Sequence, residues 1–280
     1  MAGTPDPWRA AAGTAARNLR TRLRRVTRTR RVFGVAAMAV RFDGSVYYVP
    51  NFAAHRPVAQ KILNKRYVEP ALHYLVQEVM ARRPGSMISA GTFFGDMLPS
   101  FSGKTPELVY AFEPVLENYL LAREVVAAND LDNVVLLHAG LGAKPGPGLA
   151  RIGTSRVGQR HLGGASRIIS RSQESQFRSQ RVPMLSIDQL AVDDLSIIQL
   201  DVEGHELPVL KGAIGTIRSH QPVIVVEDNN RSCPRFLAEL KYVEVAQLGL
   251  DHVYLPAAVA ADAGDLIRPA PATRATSLFR

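Results

Sequence analysis

The spacing of apolar positions changes several times along the chain, and each change marks an element. Residues 33–40 and 45–49 are β-prone runs on either side of Asp43-Gly44, which predicts a hairpin. In residues 69–83, Leu72, Leu75, Val76 and Val79 recur at helical spacing, and Pro84-Gly85 closes the helix. From residue 87 the pattern alternates. Short apolar runs at 87–90, 108–112, 134–138, 197–201 and 222–227 read as strands, and residues 182–187 are strand-like. Helical spacing fills 115–129 and 206–220. Residues 243–247 and 252–255 form a terminal antiparallel pair around Gly249. Strands alternating with helices of this length predict an α/β fold of βαβ units on a largely parallel, Rossmann-like sheet. Ligands in such sheets bind outside the carboxyl ends of the strands, so the residues just past each strand carry the chemistry.

The polar stretches divide the chain. Residues 1–31 form a basic flexible arm, too poor in large apolar groups to offset the entropy of ordering. Residues 32–84 are an N-terminal extension of hairpin and helix, and residues 85–256 are the main domain. Within the latter, 140–181 is a Gly-, Ser- and Arg-rich variable loop, too polar for core, suited to the acceptor substrate. Residues 257–280 are a loose tail.

Charge follows the same division. The chain of 280 residues has a formal charge of +9, but nine Arg and one Asp put +8 in residues 1–31. Seven Arg and one Glu put another +6 in 151–181, so the remainder carries −5. A mildly acidic body with two basic segments is unlike a nucleic-acid binder, which spreads its cations over a folded face. The arm does not interleave aromatics for base stacking. It suits peripheral contact with anionic lipid. The Arg-rich loop suits an anionic acceptor, held by bidentate contacts. The single cysteine, Cys233, excludes an internal disulfide and a multi-Cys zinc site, and fits a cytoplasmic protein. No apolar run near the N-terminus approaches the ~20 residues of a membrane span.

Three strand ends stand out. After the first comes Ser89-Ala90-Gly91-Thr92-Phe93-Phe94-Gly95-Asp96, a glycine turn that lacks the GxGxxG of a dinucleotide site. This counts against a nicotinamide dehydrogenase. After the second comes Phe112-Glu113-Pro114. Glu113 lies 22 residues beyond Gly91, where an acid can accept hydrogen bonds from both ribose hydroxyls, and it can equally serve the helix start at Pro114. After the strand at 197–201 comes Asp201-Val202-Glu203-Gly204-His205-Glu206. Asp201 directly follows buried-type positions and belongs at the active edge. Glu206 reads as a solvated first-turn acid. His205 is either a general base or an exposed helix-start histidine. Asp201, Glu203 and Asp228 are candidates to hold a hard divalent cation.

Four blocks, in order, resemble the FkbM family of methyltransferases: 88–96, 111–114, 200–212 and 222–227, with Leu185-Ser186-Ile187-Asp188-Gln189-Leu190 fitting ahead of the third. The resemblance spans residues 87–228. It implies a Rossmann-like class I methyltransferase fold with a mostly parallel seven-stranded sheet. It implies methyl transfer from S-adenosylmethionine, usually to an oxygen of a sugar, glycolipid or secondary metabolite. By position Gly91, Thr92, Gly95 and Asp96 would approach the amino-acid part of the cofactor, and Glu113 the ribose. His138, Ala139, Gly140 and Leu141 would face the adenine. Asp201 or His205 would take the acceptor proton. Ser89 departs from the pattern, because the family usually places there an acid that fixes the methionine ammonium. A cofactor-less binding protein, or an RNA-binding protein or RNA methyltransferase using the Arg-rich arm, are the alternatives.

Overall fold

The computed structural model describes residues 29–152, 166–176 and 179–261. The expected arm up to residue 28, and the tail from 262, lie outside the described residues.

Strands β1 (Thr29–Val32), β2 (Val35–Phe42) and β3 (Ser45–Pro50) form an antiparallel sheet. The predicted hairpin at Asp43-Gly44 is present, with both residues at positive φ. The run 33–40 is not one strand, however. Phe33 and Gly34 also take positive φ and turn the chain between β1 and β2. That turn draws Thr29–Arg31, expected in the arm, into a strand. Helix α1 (Pro57–Leu63) follows, and then α2 (Pro70–Arg82). Pro70 sits at the start of α2, where its missing N–H costs nothing. Leu72, Leu75, Val76 and Val79 are buried as the spacing requires, each worth ~1.5–3 kcal/mol by removal from water.

The main sheet begins with β4 (Ser86–Ala90). Helix α3 (Leu98–Lys104), β5 (Val109–Phe112), α4 (Leu116–Ala128) and β6 (Val134–Leu137) follow. Next come β7 (Gly140–Leu141), β8 (Gly146–Arg151), β9 (Arg167–Ile169) and β10 (Ser179–Leu185). They pair in the order β7-β10-β8-β9 as a separate sheet. The region read as a polar loop is therefore partly sheet. Ala150, Val182 and Met184 give it a small core of its own. The chain then returns through β11 (Leu195–Leu200), α5 (Glu206–Lys211), α6 (Ile214–His220), β12 (Val223–Glu227), α7 (Pro234–Glu239), β13 (Tyr242–Leu248) and β14 (Asp251–Pro256).

The helix expected over 206–220 is two helices, and Asp188 is the reason. Its carboxylate accepts hydrogen bonds from the Gly215 and Thr216 N–H groups and the Thr216 hydroxyl, capping a new helix start. Its own N–H donates to the Gly212 carbonyl.

The seven strands of the main sheet run β13-β14-β12-β11-β4-β5-β6. All neighbours from β12 to β6 are parallel, and β14 runs antiparallel between β12 and β13. This is the Rossmann-like sheet that the sequence pattern predicts. The order reverses at β4, whose neighbours are β5 on one side and β11 on the other. The crevice of the fold therefore opens above the carboxyl end of β4.

Candidate active site

Register assembles the site. Ala90 pairs with Phe112 on one side and Leu200 on the other. The next residues, Glu113, Gly91 and Asp201, therefore leave three neighbouring strands side by side. Leu200 pairs with Val226, and Glu227 with Asp251, which extends the row by two more acids. Adjacent strands lie ~4.8 Å apart, so these five positions form one continuous edge.

Above the edge lies a cavity of about 370 Å³. Its lining includes Gly91, Thr92, Asp96, Glu113, Asp201 and His205. Ala139, Gly140 and Leu141 line it too, as does Glu203. Gly91 has φ +91°, and a Cβ there would fall 1.7 Å from the Asp201 carbonyl oxygen. Only glycine lets these two strand ends meet. Gly95, at φ +84°, serves packing instead: a Cβ would press on Ala122 of α4 at 3.1 Å.

Glu113 is held by the protein's own donors. The Phe93 N–H donates to Oε2 at 2.8 Å, and the Val115 N–H to Oε1 at 2.9 Å. Burial pushes its carboxyl up to about 7, despite these bonds, which favour the charged form. Thr92 donates its hydroxyl to the Phe112 carbonyl and pins the glycine turn to the next strand. Asp96 is 7% exposed, and among the described residues its carboxyl is bonded only to its own backbone N–H. Burial raises it to about 7. Ser89 donates to Gln199 Oε1 at 2.8 Å, so the position where the family usually has an acid is satisfied within the cavity floor.

Asp201 is raised well above the usual carboxylate range, first by burial and then by Glu227, Glu203 and Glu69. Burial lowers His205, which keeps the imidazole neutral near pH 7. A carboxylate made more basic and a neutral imidazole beside one cavity are both competent proton acceptors. Glu206 is not the solvated acid expected. It is 1% exposed, and its carboxylate accepts the Val202 and Gly204 N–H groups, which folds the acidic loop.

Two expectations fail on geometry. His138 does not line the cavity; its Nε2 lies 3.1 Å from the Pro114 carbonyl and its ring stacks on Tyr119. The cation site of Asp201, Glu203 and Asp228 does not assemble. Asp228 accepts the Ser232 and Cys233 N–H groups and the Ser232 hydroxyl. Burial opposes its charge, but these donors outweigh it and hold the carboxyl below its ordinary value. Among the described residues no group of three His, Cys, Asp or Glu is placed to hold a metal ion.

The sequence missed one wall entirely. Arg56, Lys61 and Glu69, from the N-terminal extension, line the cavity. Nothing in their local pattern marks them, because only tertiary folding brings them to the strand ends. Arg167, from the accessory sheet, lines it as well.

The sheet order, the glycine turn and the ribose-type acid define a Rossmann-like class I methyltransferase fold. The chain belongs to the methyltransferase FkbM domain family, whose profile matches residues 90–254. Among solved structures, the FkbM methyltransferase of Methylobacillus flagellatus KT is similar, at 17% identity and a TM-score of 0.44. The similarity covers 73% of this chain and 55% of that one, so this chain spans little more than half of that relative. An rRNA methylase from Streptococcus thermophilus is similar at 11% identity and TM-score 0.39, over 66% and 93% of the two chains. A Streptococcus mutans protein solved in complex with SAH is similar at 12% identity and TM-score 0.37, over 64% and 93%. No curated protein sequence matches the chain significantly.

Proposed function

We propose that the protein is an S-adenosylmethionine-dependent O-methyltransferase acting on a hydroxyl of a sugar, glycolipid or secondary metabolite. The observation that carries this reading is the register that sets Glu113, Gly91 and Asp201 side by side around one cavity. The residues present fit the cofactor. Glu113 has capacity for a ribose hydroxyl beyond its protein donors, since a carboxylate offers about four acceptor sites. Asp96, hidden and without another described partner, suits the methionine ammonium that Ser89 cannot hold. Ala139, Gly140 and Leu141 offer a largely apolar wall for the adenine.

When bound, the cofactor supplies an electrophilic methyl group on a sulfonium. The chain's own part is to align the acceptor oxygen, exclude water and remove one proton. Alignment within the cavity supplies a large share of the rate. Asp201 or His205 takes the hydroxyl proton, a step worth ~10²–10⁴-fold. Among the described residues no three His, Cys, Asp or Glu are placed to hold a metal ion, so this reading assigns the proton to Asp201 or His205. Arm contact with anionic lipid involves residues outside those described and belongs to this reading only as a proposal. Among the described residues no helix is long and apolar enough to cross a membrane.

The test is transfer of a labelled methyl group from S-adenosylmethionine into separated oligosaccharide, lipid and RNA fractions. Base-stable ether label in the first two is expected. Label in RNA would favour the alternative reading, and no label anywhere would contradict both.

A further inference from the structure

Every position of β11 is buried, and its polar side chains are Ser196 and Gln199. A polar group in such a strand costs free energy unless it is hydrogen-bonded. Ser196 meets that condition within the protein, donating its hydroxyl to the Arg83 carbonyl at 2.8 Å. Gln199 meets it by half. Its Oε1 accepts the Ser89 hydroxyl at 2.8 Å, across the register that pairs the two residues. Its Nε2, which carries the amide's N–H donors, has no partner among the described residues. Gln199 is 4% exposed, yet this nitrogen is not among the polar atoms sealed in the core. The side chain lines the cavity, so the amide opens there.

The two faces of the sheet explain the placement. Met87 and Ile197 pack with Leu72 and Val76 of α2 and Phe101 of α3. Side chains alternate along a strand, so Ser89 and Gln199, two residues further on, project from that same face. There the apolar layer stops and the cavity begins. The opposite face, with Ile88, Ala90, Ile198 and Leu200, stays apolar to the strand ends. The polar pair therefore belongs to the cavity floor.

The rest of the floor suits protons and cations. Asp96, Glu113 and Asp201 present carboxyls, and the Thr92 hydroxyl is engaged by the Phe112 carbonyl. Arg56, Lys61 and Arg167 bring donors from the extension and the accessory sheet, not from the main strands. Gln199 is thus the donor that the floor leaves open. β11 adjoins β4 on the side away from β5. A ligand whose ribose meets Glu113 and which crosses Gly91 arrives above Gln199.

We infer that Gln199 is a specificity residue of this cavity: its amide donates to the carboxylate of the cofactor's methionine end, and Ser89 holds the amide in that orientation. The assignment rests on the methyl-transfer reading. The methionine end carries an ammonium and a carboxylate on one carbon. Asp96 suits the first, and a further carboxylate on the floor would repel the second. An amide anchored through its oxygen presents donors alone. Ser89 and Gln199 are then one device, in which the hydroxyl fixes the half of the amide that faces the ligand.

Calorimetric titration of the full chain tests it with S-adenosylhomocysteine, its decarboxylated analogue and its deaminated analogue. The wild type should bind S-adenosylhomocysteine about tenfold or more tighter than the decarboxylated analogue, the order of one charge-assisted hydrogen bond. Ser89→Ala with Gln199→Leu removes both partners of the buried bond, so the fold should survive it. This variant should bind S-adenosylhomocysteine and the deaminated analogue about tenfold more weakly and the decarboxylated one unchanged. Gln199→Met, of similar length, should give the same result if the double variant fails to fold. Equal weakening of all three probes would leave Gln199 a structural role only. Weakening confined to the two amine-bearing probes would mean that the amide turns its oxygen to the ammonium. Either result overturns the assignment, as would unchanged binding of all three. A wild type that binds none of them would sink the methyl-transfer reading and the assignment with it.

Discussion

The two ends of the cavity are built from the same residue type in opposite states. Glu113 is an acid already bonded: two backbone N–H groups hold its oxygens before any ligand arrives. Asp201, at the other end, is raised by burial first and then by its acidic neighbours Glu227, Glu203 and Glu69. The first end is preorganised and the second is poised to take a proton. Burial raises the carboxyls at both ends, and what distinguishes them is that the protein supplies donors to one and acidic neighbours to the other.

The edge joining the two ends is the most vulnerable point. Gly91→Ala places a Cβ on the Asp201 carbonyl at a φ that disfavours side chains. Strain and overlap together should cost ~2–5 kcal/mol. A fall in thermal midpoint with lost cofactor binding is expected; an unchanged midpoint would refute the close approach.

At the open end, Asp201→Asn and His205→Asn should part company. The true base should lose ~10²–10⁴-fold in turnover with little change in cofactor affinity. If Asp201 is the base, activity should fall with decreasing pH at a midpoint above the ordinary carboxylate range, as its raised carboxyl takes up a proton. Full activity in both variants would remove the base from the account. At the bonded end, Glu113→Gln should act on binding instead. A lost charge-assisted contact is worth ~1.5–3 kcal/mol, or about ten- to a hundredfold in affinity.

The smallest effect is on stability. Burial holds Asp96, Glu113 and Asp251 near 7 in the folded protein, above the ordinary carboxylate values of 3.8 to 4.5. The folded state thus binds more protons than the unfolded one between about 4 and about 7. Stability from these groups is present below that window and is lost as pH rises through it. Thermal unfolding across pH 4 to 8 should show the decline, and Asp251→Asn should flatten it. A rise with pH would contradict the burial described here.

The legible parts of the chain were those where one physical rule decides. Apolar runs such as Ile197–Leu200 can only be central strands, and their order fixed the edge where Gly91, Glu113 and Asp201 meet. The accessory sheet escaped notice because β8 reads GPGLAR, with little strand propensity, and is stabilised by pairing to β10. Helices α1, α3 and α7, at six or seven residues, are too short for periodicity to register. The resemblance sets His138 toward the adenine, but its ring is held by Pro114 and Tyr119. Glu69 gives no signal, since only tertiary folding brings it to the strand ends.

The central claim is that this cavity binds S-adenosylmethionine. Calorimetric titration of the wild-type protein with S-adenosylmethionine, and separately with NAD, tests it most directly. The account predicts saturable one-site binding of S-adenosylmethionine, weakened by Glu113→Gln, and no binding of NAD. Binding of NAD in preference, or S-adenosylmethionine binding indifferent to Glu113, would contradict it.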